Sequence, residues 1–503
     1  MSDFIPANTG LSRVFLIPWR AGPQRAPEYH SCLRAQALSQ GFGEVTDIEC
    51  PDPTRPGKYI KIGSFQTGVE RATVTLEGRY ALDVRSALMR LAKQGCAVDV
   101  QVHFGDCEDL SDHNAFKKIL YLQDALLSAY NTEDLGSLAS GDTAAVNESV
   151  DISARDIFDI IAQTFGNKGG DLVTNKVIDG VICDEVSCGE CGDTSDGCQR
   201  AFVISIQAGG SPGTPADVIY TVDGGITWYA HDIDSLGATD DPSAVACLKG
   251  FLVVVSEATG SAHYAPLADF DAFGTDPDFT EVTTGFEAGG EPTCIVSLGT
   301  KAFIGGAGGH IYSMATPSNG VTMIEDGVLT ASRLLAIKAL SDTFVVAVGE
   351  DGVILFSEDG ATFQLLTTSP VGVGVDVTAV AIKSKNEWWV GTSAGNAYYT
   401  IDGGAHWTIK PFPGSGAGTI NDIAIQGDSI IYIAQSTTGP AVGHLLGSFN
   451  GGYDFVVLPL GSGVLPTSDI LAFVAVCDAD PGFIITGGLG ANGTDGIIIT
   501  GTM

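Results

Sequence analysis

Short apolar runs separated by glycine or polar turns dominate the second half of the chain. Residues 377–382, 387–391, 396–400 and 407–410 show the rhythm most plainly: four runs of strand length, too short for helices, with Gly, Ser or Asn between them. The same unit recurs from about residue 201 to the last residue. Its best-marked copies end in a common turn. Tyr220-Thr221-Val222-Asp223-Gly224-Gly225-Ile226-Thr227-Trp228 and Tyr399-Thr400-Ile401-Asp402-Gly403-Gly404-Ala405-His406-Trp407 are complete, while Phe356-Ser357-Glu358-Asp359-Gly360-Ala361-Thr362-Phe363 is one residue shorter. Ser448-Phe449-Asn450-Gly451-Gly452-Tyr453-Asp454-Phe455 has Asn for Asp. Aligning weaker copies places strand-end anchors at Thr221, Pro266, Ser313, Ser357, Thr400, Ser448 and Thr500. A period in the mid-forties, with four short strands per unit, predicts a β-propeller. Seven anchors imply seven blades, with six as the alternative. The last unit ends just beyond its anchor, so it lacks an outer strand, and residues 172–183 are expected to supply it.

The first part has a different pattern. Residues 71–77 and 97–104 alternate as half-buried strands do. Between them, Asp83 caps an expected helix to Gln94, with Val84, Ala87, Leu88, Leu91 and Ala92 on one face and Gly95 as its stop. Residues 119–130 read as a strand, with helix as the alternative for the first half, and 146–153 as another strand.

Composition sharpens this division. The chain has 503 residues, 25 Lys+Arg against 60 Asp+Glu, a formal charge of −35 and 65 glycines. From residue 201 onward there are 7 basic and 31 acidic residues, leaving 18 and 29 for residues 1–200. Such a field repels phosphate backbones and anionic lipid, so a nucleic-acid-gripping protein is excluded. The N-terminus shows no secretory signal and no stretch has the length of a membrane helix, so synthesis as a soluble cytoplasmic chain without a membrane partner is expected. Three regions follow: 1–170, a Cys-rich closure or linker at 171–200, and the propeller at 201–503.

Candidate chemistry is sparse. Cys183, Cys188, Cys191 and Cys198 fall within sixteen residues and would suit a tetrahedral zinc. Only one pair has the two-residue spacing, and disulfides or free thiols fit at least as well. No other cofactor is indicated. Gly488, Gly490 and Gly493 match a dinucleotide fingerprint, but an apolar strand rather than a helix follows, so no phosphate site is expected. His231, His263, His310, His406 and His444 show no ligand spacing and read as loop residues.

The repeated turn resembles the Asp-box of sialidase-like, sortilin-like and photosystem-assembly-factor-like propellers. Its members here are Asp223, Gly225 and Trp228; Asp359; Asp402, Gly404 and Trp407; and Asn450, Gly452 and Phe455. The box lies on an outer hairpin, so these residues are expected to be structural. A sialidase also needs three arginines and a Tyr–Glu pair, and Arg333 is the sole arginine from residue 201 onward. No catalytic residue is assigned, and the chain is read as a non-enzyme.

The stretch Leu127-Ser128-Ala129-Tyr130-Asn131-Thr132-Glu133-Asp134-Leu135-Gly136-Ser137-Leu138, with Ala145-Val146-Asn147-Glu148-Ser149-Val150-Asp151-Ile152-Ser153-Ala154, resembles tail tube proteins of tailed bacteriophages. That resemblance implies a mainly β fold: a tail-tube-like β-sandwich with one flanking helix, followed by the propeller. It also implies a virion structural protein that assembles into stacked hexameric rings. The implied partners are further copies of the chain, other tail proteins and viral DNA passing through an acidic lumen, for which Glu70, Glu77, Asp83 and Asp99 are candidates with no assignment of which face the bore. Host-surface glycans are a further candidate partner of the propeller. Two other classes compete: a receptor- or glycan-binding or capsid-decoration protein that does not polymerise, and a carbohydrate-active enzyme using two carboxylates.

Overall fold

The computed structural model describes the first part through strands at 12–18, 28–30, 33–41, 44–51, 59–67, 71–79, 98–105, 116–133, 147–154 and 156–159. Beyond these it describes 166–167, 176–183, 200–206, 216–270, 277–458, 470–477, 483–489 and 496–502, less a few loop-tip residues. The chain divides into two compact units, Met1–Gln163 and Thr164–Met503. Among the described residues there is no α-helix, and none long and apolar enough to cross a membrane. The helix expected at 83–94 lies outside them.

The first unit is an antiparallel sheet of eight strands. Its spine is Phe116–Glu133, 18 residues long. The first half of this strand pairs with Val98–Gly105 on one edge, and Asn147–Ala154 with Asp156–Asp159 follow the other edge. Beyond them lie Ser12–Pro18 and Glu28–His30 on one flank, Arg71–Arg79 and Leu33–Gly41 on the other. Ser12–Pro18 and Leu33–Gly41 also pack on each other, so the sheet curls over itself. Its buried positions, Val74, Val100, Leu122, Ala125 and Ile152, are the inward residues of neighbouring strands. Glu44–Pro51 and Tyr59–Thr67 stand apart as a two-stranded ribbon, and among the described residues neither pairs with a third strand.

The second unit is a seven-bladed β-propeller. Seven four-stranded antiparallel sheets follow one another, the first six in simple chain order from axis to rim. Their first strands are Lys176–Cys183, Ala244–Leu248, Pro292–Ser297, Leu334–Ser341, Val377–Ile382, Thr419–Gln426 and Ile470–Val476. Each packs against the next, and the last against the first, so the ring is closed. Alternation feeds two inter-blade cores from one strand. In Arg200–Ile206, Phe202 and Ile204 face blade 2, while Ala201 and Val203 meet Phe473 and Ile485 of blade 7. The outer strand of blade 7 is Gly166–Asn167, which pairs with Thr500 and Ile499. The expectation that 172–183 would fill that place is therefore corrected: Lys176–Cys183 is the innermost strand of blade 1. Its Val177 and Ile182 are buried, which suits the ring interior and not the rim.

Candidate functional site

The repeated turns occupy the hairpins between third and fourth strands, as their sequence implies. Asp359 Oδ1 accepts the backbone N–H groups of Ala361 at 2.9 Å and Thr362 at 2.7 Å, and the Ser357 hydroxyl at 3.1 Å. Asp402 Oδ1 accepts the His406 N–H at 2.9 Å and the Thr400 hydroxyl at 2.8 Å, and its Oδ2 lies 2.6 Å from His406 Nδ1. The glycine N–H is held by the strand-end hydroxyl each time: Gly225 by Thr221, Gly404 by Thr400 and Gly452 by Ser448, all at 2.9 Å. Positive φ values of 83°, 88° and 82° at these three positions explain the residue type. The box aromatics pack inward: Trp228 is buried and donates to Gly225 O at 3.2 Å, Trp407 meets Trp388, and Phe455 meets Trp389. Asp223 and Asn450 lie outside the described residues.

These contacts fix the electrostatics of the turn. The Thr362 and then the Ala361 N–H hold Asp359 down to about 2, and the His406 N–H and ring, then Thr400, do the same for Asp402. A carboxyl held below its unfolded value near 4 contributes stability above that value, and loses the contribution as pH falls toward 2. The double variant Asp359→Asn with Asp402→Asn is therefore expected to show a shallower fall in melting temperature between pH 4 and pH 2 than the wild type. Parallel slopes in thermal melts would refute the assignment.

The axis holds a second constellation, which the sequence did not flag. A cavity of about 290 Å3 is lined by residues from the first strand of every blade, among them Asp179, Val245, Ile295, Lys338, Ala381, Asp422 and Val474. A β-bulge places an extra residue at the same point in six of these seven strands: Ile178, Thr293, Leu335, Thr378, Asn421 and Ala472. Where that residue is polar it grips the next blade. Thr293 donates to Leu334 O at 2.6 Å, Thr378 to Ile420 O and Asn421 to Leu471 O. The following residue is Asp in two blades, and it too reaches forward: Asp179 Oδ2 accepts from Val245 N at 2.9 Å, and Asp422 Oδ2 from Val474 N at 3.1 Å. Lys338 Nζ lies 3.9 Å from Asp422 Oδ1.

Asp179 lines the cavity and is half-buried. Loss of bulk water pushes its carboxyl up to about 7, with Asp422 adding to the shift and the Val245 N–H and Lys338 opposing it. The signal available in the sequence was a charge inside an otherwise largely apolar run: Val177-Ile178-Asp179-Gly180, Ile337-Lys338-Ala339 and Ile420-Asn421-Asp422-Ile423.

Other candidates resolve into structure. Cys183 is disulfide-bonded to Cys247. This corrects its place in a four-thiolate zinc set, since a disulfide sulfur has no thiolate to donate. Cys188, Cys191 and Cys198 lie outside the described residues. Cys477 is disulfide-bonded as well, and Cys294 is a buried free thiol. Four of the histidines read as loop residues stand in strands instead: His231, His263, His310 and His444. His263 is fully buried, with Ser235 Oγ 2.7 Å from Nδ1 and Ser261 Oγ 3.0 Å from Nε2. Burial lowers its pKa, so it is a neutral, satisfied group. Arg333 is paired with Glu257. Gly488 ends the strand Phe483–Leu489 together with Leu489, and Gly496–Thr502 is the next strand; Gly490 and Gly493 lie outside the described residues.

No protein-family model matches the chain, and no curated protein does. Among solved structures it is similar to YCF48 bound to D1 peptide, at 15% identity and a TM-score of 0.48, over 66% of this chain and 94% of that one. YCF48 from Cyanidioschyzon merolae gives 14% and 0.48, over 67% and 98% of the two chains. The WD40 β-propeller domain of Doa1 gives 13% and 0.45, over 67% and 96%. All three are far below the identity at which function transfers, and none supports the tail-tube resemblance of the N-terminal segment.

Proposed function

We propose that the chain is a non-enzymatic structural subunit of a phage tail, whose N-terminal unit self-assembles into stacked rings and carries the propeller as an appended domain. The supporting observation is the ribbon Glu44–Pro51 with Tyr59–Thr67, which pairs with no third strand among the described residues. A two-stranded ribbon is marginal alone in water, and its open edges are templates for another chain. Its register positions carry Val45, Ile48, Cys50, Ile60 and Phe65, an apolar content suited to burial. A contact from this ribbon to a different surface of a second copy is heterologous, the kind that closes into rings. The acidic composition favours a lumen past which DNA slides. The Cys183–Cys247 disulfide fits a particle that leaves the reducing cytoplasm.

Negative-stain electron microscopy and light scattering of the purified full chain test this directly. Rings or tubes are expected at high concentration. A variant with residues 44–67 replaced by a short Gly-Ser linker is expected to stay at the mass of one chain. A wild type that remains monomeric at every concentration, or a linker variant that still assembles, would overturn the reading.

A further inference from the structure

The axial cavity contains two opposite charges that the protein leaves incompletely matched. Lys338 Nζ has Asp422 Oδ1 as its nearest carboxylate, at 3.9 Å, beyond hydrogen-bonding range. Asp422 is already engaged by two backbone N–H groups, Ile423 at 2.9 Å and Val474 at 3.1 Å. The Lys338 ammonium thus enters the cavity with donors to spare. Asp179, on the strand of blade 1, accepts the Val245 N–H and has no basic side chain within 4 Å among the described residues. The rest of the lining is mixed, with at least as much polar as apolar surface.

We infer that this cavity binds a small amino acid, its ammonium group on Asp179 and its carboxylate on Lys338. A volume of about 290 Å3 sits at the foot of the range for ligand pockets, which begins near 300 Å3, so the guest is small. A singly charged guest satisfies one of the two groups and leaves the other without its counterpart. A zwitterion matches both and adds no net charge to a cavity that already carries two acids and one base. The site stands on the propeller alone and does not depend on how the first unit assembles.

Isothermal titration calorimetry of the full chain decides the matter, using alanine and γ-aminobutyrate as zwitterions of short and long charge separation. Butylamine and butyrate, at matched ionic strength, supply the single-charge controls. At least one zwitterion is expected to saturate the protein with one site, and each control is expected to bind at least about tenfold more weakly, about 1.4 kcal/mol. Lys338→Met should erase the preference of the zwitterion over butylamine, and Asp179→Asn its preference over butyrate. Should Asp179→Asn fail to fold, as judged by circular dichroism, Lys338→Met carries the test, because it leaves both backbone bonds of Asp422 in place. Absence of heat with both zwitterions, or butylamine binding as tightly as they do, would overturn the inference; the second result would identify a plain cation site.

Discussion

Replacing Trp389 with Ala is expected to destabilise the propeller by about 3–5 kcal/mol, the range for deleting a large buried aromatic. Trp389 is wholly buried in the second strand of blade 5, Trp388–Thr392. Its ring stacks on Tyr399 at 5.2 Å within the blade and meets Phe455 of blade 6 edge-on at 5.9 Å. The ring also fills the space where a Cβ on Gly452 would stand, so the turn glycine of blade 6 and the indole of blade 5 are complementary shapes. Ile420, Ile431, Ile433 and Leu446 complete the same core. Removing the indole thus opens a void between two blades, which a close-packed interior fills only in part. The indole Nε1 has no acceptor, so Trp389→Phe removes an unsatisfied N–H along with some contact area. Its cost in urea or thermal unfolding is expected to be less than half that of the alanine variant. An alanine variant within about 1 kcal/mol of wild type would show that the blade interface collapses freely.

The same core shows why most of the propeller was legible. Strands expected at 377–382, 387–391, 396–400 and 407–410 are found at Val377–Ile382, Trp388–Thr392, Ala397–Thr400 and Thr408–Lys410. Each blade is a local meander, so period and turn chemistry are written within some forty-odd residues. What the sequence hid depends on ring closure. Gly166–Asn167 is a strand of two residues, too short for any periodicity, and it pairs with Thr500 and Ile499 at the far end of the chain. Val177-Ile178-Asp179-Gly180-Val181-Ile182 reads equally well as an inner or an outer strand until the ring places it. Asp179, Lys338 and Asp422 belong to blades 1, 4 and 6 and meet only on the axis. Four of the five histidines, all but His406, were misjudged for a related reason. Partners such as Ser235 for His263 come from a different strand or loop, and spacing along the chain does not show them.

Loss of the Cys183–Cys247 disulfide is the other change expected to weaken the ring strongly. Sequence spacing grouped Cys183 with its near neighbours, but the first strands of blades 1 and 2 lie side by side, and this bond joins them. It closes a loop with a sequence separation of 64 residues, for which chain entropy alone gives about 4 kcal/mol. The junction has little else of its kind. Between blades 3 and 4, 5 and 6, and 6 and 7, the bulge residue donates across the gap from Thr293, Thr378 and Asn421. At the first junction that residue is Ile178, which has no side-chain donor, and Asp179 supplies the bond to Val245 N instead. Both sulfurs are buried beside Phe202, Tyr220 and Phe270, so two serines there would also place hydroxyls in an apolar core. The double variant Cys183→Ala with Cys247→Ala avoids that penalty and isolates the cross-link. It should lose about 4 kcal/mol in urea unfolding, and the wild type and the variant should converge once both are unfolded and refolded in a strong reductant, which opens the Cys477 disulfide in each. Cys294→Ala is the control: burial pushes that thiol up to about 12, so it carries almost no thiolate and should not alter the response to reductant. A double-alanine variant within about 1 kcal/mol of wild type would mean that packing and the Asp179 bond hold the first two blades together, and that the disulfide constrains little of the unfolded chain.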